Sequence, residues 1–408
     1  MTQIDIDTEP AAVAASVARR IASDDEARTV AQAFADTLLA GAAERDRAKT
    51  RPHAEIERFS LSGLWALTVP HEYGGIDVSA ETLADVIRTV SAADPSIGQV
   101  PQNHFYLLEV LRATGTEAQK RFFFERVLRG DRFGNALSEI GTRSVAEFNT
   151  RLEDTGSGLV LNGKKFYSSG ALYAHWIPVG ANWGEDDQVF VIVRPDAPGV
   201  TVVDDWSSFG QRGTGSGTTL LDNVAVGRDS VIPYKAAFAE PTLTGPVGQL
   251  IHAAVDAGIA HAALRDTLEF ARRQTRPWID SAAERAVDDP LTLTQIGDIQ
   301  VRISAADALL ERAGRMIDSG RHALNARTVS DASIAVAEAR ALTTEAAILA
   351  TNKLFELAGT QSTLERFNLD RHWRNARTHT LHDPVRWKYF VVGNYFLNGT
   401  PPPRHGAL

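Results

Sequence analysis

The densest run of chemistry-bearing side chains is Arg371-His-Trp-Arg374-Asn-Ala-Arg377-Thr-His379-Thr-Leu-His382-Asp383-Pro384. Arg371, Arg374 and Arg377 recur every three residues, so a helix would place them on one face. His379 and His382 share that spacing. From Glu365 to Lys388 six Arg/Lys stand against three Asp/Glu, although the chain as a whole is acidic. Pro384 disfavours helical backbone at Asp383, which puts His382 and Asp383 at a helix terminus. An imidazole ordinarily titrates at about 6.5, so the cluster suits phosphate binding or proton transfer near neutral pH. The bland alternative is a structural arginine ladder with partly buried histidines. Two histidines plus Asp383, without a recognised third-ligand spacing, make a weak metal signature, and no metal is expected.

Three further segments carry weaker signals. Arg272-Arg-Gln274-Thr-Arg276-Pro-Trp278 closes a long helical pattern and offers bidentate phosphate binding, or simply cations at a helix C-terminus. Gly210-Gln-Arg-Gly-Thr-Gly-Ser-Gly217 could offer backbone N–H groups to an anion. It is not a Walker motif, and a turn is the better reading. Ser138-Glu139 and Ser168-Ser169 lack the Gly-x-Ser-x-Gly context of a serine hydrolase.

These residues must be positioned by three texturally distinct regions. Residues 1–132 read as mostly helix, with Val30, Phe34 and Leu38 on one face, Ser23 as a helix start and a second helix from about Ala80 to Ala92. His71-Glu-Tyr-Gly-Gly75 between them is a loop. Residues 133–235 hold short β-branched runs: Val189–Val193, Val200–Val203 and Thr218–Val226. Asn162-Gly163 predicts a tight hairpin turn there. Strands without intervening helices imply an antiparallel sheet or barrel and exclude a Rossmann unit. Residues 236–408 return to helix, and Gln249–Gln274 and Ser333–Ala358 fit a four-helix bundle.

The 408 residues suggest two or three domains, and the net charge of −9 argues against nucleic acid as a partner. There is no run of about 18 uninterrupted apolar residues, so no membrane span is expected. The opening MTQIDIDTEP lacks the pattern of a secretory signal, so a cytoplasmic location follows by default. With no cysteine, thiolate metal sites, iron–sulfur clusters and cysteine nucleophiles are excluded. Beyond Met1, the only sulfur is in Met316. Drift in a GC-rich genome explains that count, as does selection for low sulfur in a protein made when sulfur is scarce.

In this order, the pieces resemble the acyl-CoA dehydrogenase superfamily over nearly the whole chain. Val69-Pro-His-Glu-Tyr-Gly-Gly75, Leu137-Ser138-Glu139, Asn162-Gly-Lys-Lys-Phe-Tyr167-Ser-Ser169-Gly, Arg272-x-Gln274 and Gly359-Thr360 are similar to family motifs. The resemblance implies an α+β fold: an N-terminal α-helical domain, a central antiparallel β domain and a C-terminal four-helix bundle, assembled as a homotetramer. His382-Asp383-Pro384-Val385 stands where the dehydrogenases carry a glutamate base, and Gly359-Thr-Gln-Ser362 shortens the turn that holds the adenine half of FAD. Both departures resemble the reduced-flavin-dependent monooxygenase branch, which Arg374–Pro384 matches over eleven residues, with Asp204-Asp-Trp206, Gln274–Trp278 and Leu397-Asn-Gly399 in support.

That resemblance implies a two-component monooxygenase using FMN as FMNH2 in preference to FAD. A separate NAD(P)H-dependent flavin reductase would supply it, and molecular oxygen would add at flavin C4a. One oxygen atom would pass to a small organosulfur compound, in sulfur acquisition. The rivals are an acyl-CoA dehydrogenase with Asp383 as base and a non-catalytic flavin-binding member of the fold. The implied roles are Ser169 near flavin N5, Asn135 and His382 as donors near the peroxide, and Asp383 as the tuner of His382. His104 and Trp206 would border the pocket. Leu137, Ser138 and Tyr167 would lie along the isoalloxazine. Arg272, Gln274 and Arg276 would hold phosphate from an adjacent subunit, beside Gly359 and Thr360.

Overall fold

The computed structural model describes residues 18–408; Met1 and the MTQIDIDTEP stretch lie outside the described residues. The N-terminal region is helical: α1 (Asp24–Leu39), α2 (Ala42–Ala48), α3 (His53–Leu61), α4 (Ala80–Ala93), α5 (Pro95–Gln99), α6 (Pro101–Thr114) and α7 (Glu117–Leu128). Local chemistry sets their starts. Ser23 accepts from the Glu26 N–H and Ser79 from that of Thr82, while Asp94 accepts from Ser96 and Ile97. Ala27, Val30, Ala31, Phe34, Ala35 and Leu38 are the buried face of α1.

The central sheet has seven strands: β1 (Arg151–Asp154), β2 (Leu159–Lys165), β3 (Ile177–Trp183), β4 (Asp187–Val193), β5 (Val200–Val203), β6 (Thr218–Val226) and β7 (Val231–Pro233). Their order is β5-β6-β2-β1-β3-β4-β7, antiparallel throughout except for the β1–β3 pair. The expected turn at Asn162-Gly163 is corrected. Both residues lie inside β2, at a bulge opposite β6. The hairpin turn falls instead between Asp154 and Leu159. Glycine is required at 163 by close approach, since a Cβ there would lie 2.3 Å from Thr150 Oγ1.

The C-terminal region holds α8 (Thr244–Arg273), α9 (Pro290–His322), α10 (Ala326–Ala358), α11 (Asp370–His379) and α12 (Arg386–Asn398). The three long helices pack on one another, and α4 lies against α8 and α9. One apolar core runs from α1 through α4 and α6 into α8, α9 and α10, and a second fills the sheet. By length and composition α8 could cross a membrane, but 94% of its apolar window is buried in the protein. It is the central helix of the bundle, and α11 reaches from its side to the sheet.

Candidate functional site

The motif residues fall into two groups, both touching α5. The first surrounds Ser169, which follows β2. Its buried hydroxyl lies 2.6 Å from Ser216 Oγ, which lies 2.7 Å from Thr214 Oγ1. Tyr167, at φ +55°, turns its half-exposed ring toward Trp206, with centroids 6.0 Å apart. Asn135 Nδ2 donates to the Tyr167 carbonyl at 3.1 Å. Trp206 Nε1 donates to the Gln211 carbonyl at 2.9 Å. Leu137 and Ser138 are held only through their carbonyls, which accept from Lys165 Nζ at 3.1 Å and from the Phe166 N–H at 2.9 Å. Among the described residues no hydrogen bond engages the N–H of Leu137 or Ser138. Two donors beside a buried hydroxyl suit the polar edge of a planar heterocycle such as a flavin.

Lys165 anchors this edge. It is fully buried, donates to Glu139 Oε1 at 2.6 Å and lies 4.1 Å above the Phe148 ring. Glu139 also accepts from the Asn149 and Thr150 N–H groups. Burial pushes the Lys165 ammonium down to about 8, with Glu139 opposing.

The second group surrounds the end of α11. His379 Nδ1 lies 2.5 Å from Asp256 Oδ1, and its Nε2 lies 3.1 Å from His252 Nδ1 and 3.0 Å from the Gln99 amide. Asp256 also takes hydrogen bonds from Arg340 and Thr344. Burial pushes the Asp256 carboxyl up, but Arg340 and His379 outweigh it and hold it below its ordinary range. Burial pushes the His252 imidazole far below its ordinary range and lowers that of His379, where Asp256 opposes it. His382, half-exposed past the helix end, lies 3.2 Å through Nδ1 from Asp383 Oδ2 and 3.9 Å, ring to ring, from His252. Burial raises the Asp383 carboxyl, yet His382, His252 and Lys388 together hold it well below the usual range.

The groups are linked. Asn375, one turn before His379, accepts from the Gln211 N–H at 2.6 Å. On α5, Ser96 Oγ accepts from the Gly213 N–H and Gln99 meets His379. These bonds occupy the Gln211 and Gly213 N–H groups and make the first part of the 210–217 segment a docking turn for α5 and α11. Arg371 and Arg374 are spent on Asp266 and Asp46, which makes these two arginines of the ladder structural.

His104 is corrected. It is wholly buried in α6; its Nε2 donates to the Trp65 carbonyl at 2.8 Å and its Nδ1 accepts from the Phe133 N–H at 3.1 Å. Burial pushes it down to about 3. Both nitrogens are used by main chain, so it is a core histidine and does not line the pocket. Arg272, in the last turn of α8, and Gln274 and Arg276 just past it are exposed, and no hydrogen bond among the described residues ties them to the Ser169 group. Gln274 and Gln361 side chains touch at 3.5 Å, which brings the Gly359-Thr360 turn alongside. Gly359 sits at φ +70°.

His252, Asp256, Gln99 and Ser216 escaped the sequence reading. For the first two a signal existed: a histidine and an aspartate at i, i+4 in an otherwise apolar, alanine-rich helix.

Family models for the acyl-CoA dehydrogenase N-terminal, middle and C-terminal domains match residues 22–131, 134–224 and 250–387. Dibenzothiophene monooxygenase of Rhodococcus erythropolis is 35% identical over 94% of this chain and 96% of its own. A probable FMNH2-dependent monooxygenase, SfnC, of Pseudomonas putida is 31% identical over 92% and 95%. The FMN-bound structure of TdsC from Paenibacillus sp. A11-2 superposes with a TM-score of 0.89 at 30% identity, covering 94% of this chain and all of that one. The chain belongs to the acyl-CoA dehydrogenase superfamily and, within it, to the branch that holds the dibenzothiophene monooxygenases.

Proposed function

We propose that the protein is an FMNH2-dependent monooxygenase that oxygenates a small organosulfur compound. The observation that carries this reading is the state of Asp383. A dehydrogenase would need a free carboxylate base there. Instead Asp383 is buried, bonded to His382 and held far below its ordinary pKa, which makes it a weak proton acceptor. The kinship to dibenzothiophene monooxygenase and to SfnC points the same way.

Bound FMNH2 would supply the oxygen activation. This chain's residues would supply the rest. The N–H groups of Leu137 and Ser138 and the Ser169 hydroxyl would hold the flavin's polar edge, with Tyr167 and Trp206 against its ring. Asn135 would donate toward the oxygen, and Asp383 would orient His382 as the proton carrier. Buried walls around Asn135 and Ser169 would keep water out. Arg272, Gln274 and Arg276, with Gly359 and Thr360, would meet the phosphate of a neighbouring subunit's cofactor in a homotetramer. Exposed Trp387, Phe390, Phe396 and Leu397 on α12 support such assembly. A separate NAD(P)H-dependent reductase, molecular oxygen and a cytoplasmic setting complete the proposal.

An anaerobic stopped-flow experiment tests it. Protein with photoreduced FMN is mixed with oxygenated buffer. The expected result is a long-lived near-ultraviolet flavin absorbance, distinct from oxidised FMN, that His382→Ala abolishes. Reoxidation as fast as that of free FMN refutes the reading.

A further inference from the structure

Beneath His382 the fold leaves one buried imidazole nitrogen without a partner among the described residues. His379 turns Nδ1 to Asp256. Its Nε2 lies 3.1 Å from His252 Nδ1 and 3.0 Å from Gln99 Oε1. The second ring nitrogen of His252 is Nε2. It is buried, and it has no hydrogen-bond partner among the described residues. A buried polar nitrogen without a partner costs about 1–3 kcal/mol and so calls for an occupant.

We infer that His252, His382 and Asp383 form a binding site for a divalent transition-metal cation of the zinc class, which blocks His382 when bound. Ligand atoms of the three residues lie within 4.8 Å of one another. Tetrahedral Zn2+ at about 2.1 Å from each ligand needs separations of about 3.3 Å. His382 sits half-exposed in the turn after α11, and closing that gap requires its side chain to rotate toward the other two. The donor set, two imidazoles and a carboxylate with a fourth position open to water, suits zinc, nickel or cobalt and not magnesium. Of the neighbouring cations, Lys388 is turned away onto Gln249 and the Ala407 carbonyl, and Arg340 is paired with Asp256. The sequence suggested a different pair, His379 with His382, but His379 is consumed by Asp256. Binding rests on geometry alone; only its inhibitory consequence depends on the monooxygenase reading.

Cobalt(II) is the probe, added to untagged full-length protein while its visible d–d absorption is followed. The expected result is a tetrahedral band that saturates at one Co2+ per chain and is displaced by Zn2+. Affinity should fall by more than about 10-fold, a loss that even outer-shell changes can produce, in both His252→Gln and Asp383→Asn. Circular dichroism checks that each variant is folded. No band, or a band that folded variants of both kinds retain, means an adventitious surface ion only and overturns the site. In the reductase-coupled assay, Zn2+ should inhibit at the concentration that displaces Co2+. Binding without inhibition would leave the site standing and refute the role given to His382.

Discussion

Replacing His104 with glutamine separates a core histidine from a working one. In the folded chain its pKa is pushed down to about 3; an unfolded histidine titrates at about 6.5. Between those values the unfolded state binds the extra proton, so stability is complete above about 6.5 and is lost as pH falls. At about 1.4 kcal/mol per pH unit, about 2 kcal/mol is gone by pH 5 and about 5 kcal/mol by pH 3. Glutamine keeps the donor to the Trp65 carbonyl but leaves the buried Phe133 N–H unpaired, a loss of about 1–3 kcal/mol at any pH. Urea unfolding at pH 7 and pH 5, for wild type and variant, gives four free energies. The wild type should lose about 2 kcal/mol more than His104→Gln on acidification. Turnover per folded molecule should be retained. Equal acid losses in the two proteins, or a collapse of turnover without loss of fold, would refute the assignment of His104 to the core.

Three other outcomes follow from the same geometry. Asp256→Asn strands the buried Arg340 guanidinium and should destabilise by about 3–5 kcal/mol in denaturant unfolding, with Arg340→Met recovering part of it in the double variant; additive losses would argue against the pairing. Lys165 titrates near 8 when folded and about 10.4 unfolded, so wild-type stability should rise by about 2 kcal/mol relative to Lys165→Met between pH 8 and 9.5, and parallel curves would contradict this. Phe390→Glu on the exposed α12 face should lower the mass seen by light scattering, and an unchanged mass would remove that helix from the assembly surface.

The sequence by itself determined the order of helical, β and helical regions, because burial imprints a period of 3.6 or 2 on apolar residues wherever one face is covered. Helix starts at Ser23 and Ser79 were written in local capping chemistry. The motif at 374–384 identified the branch, and Pro384 marked where α11 must stop. Tertiary structure alone decided what each polar residue does. Asn162-Gly163 has the composition of a turn, but pairing with β6 on one side and contact with Thr150 on the other make it a bulge. His104 and His382 are the same residue type; they stand 278 positions apart in the chain, and only packing sends one into the core and the other to a half-exposed turn. His379 and His382 share a helical spacing, yet Asp256, from α8, takes the first and leaves the second for solvent and ligand. A pattern of residue types records which surfaces are buried. It does not record which partner, distant in sequence, fills the space opposite each buried nitrogen or oxygen, and that partner determines whether the group is structural or free to react.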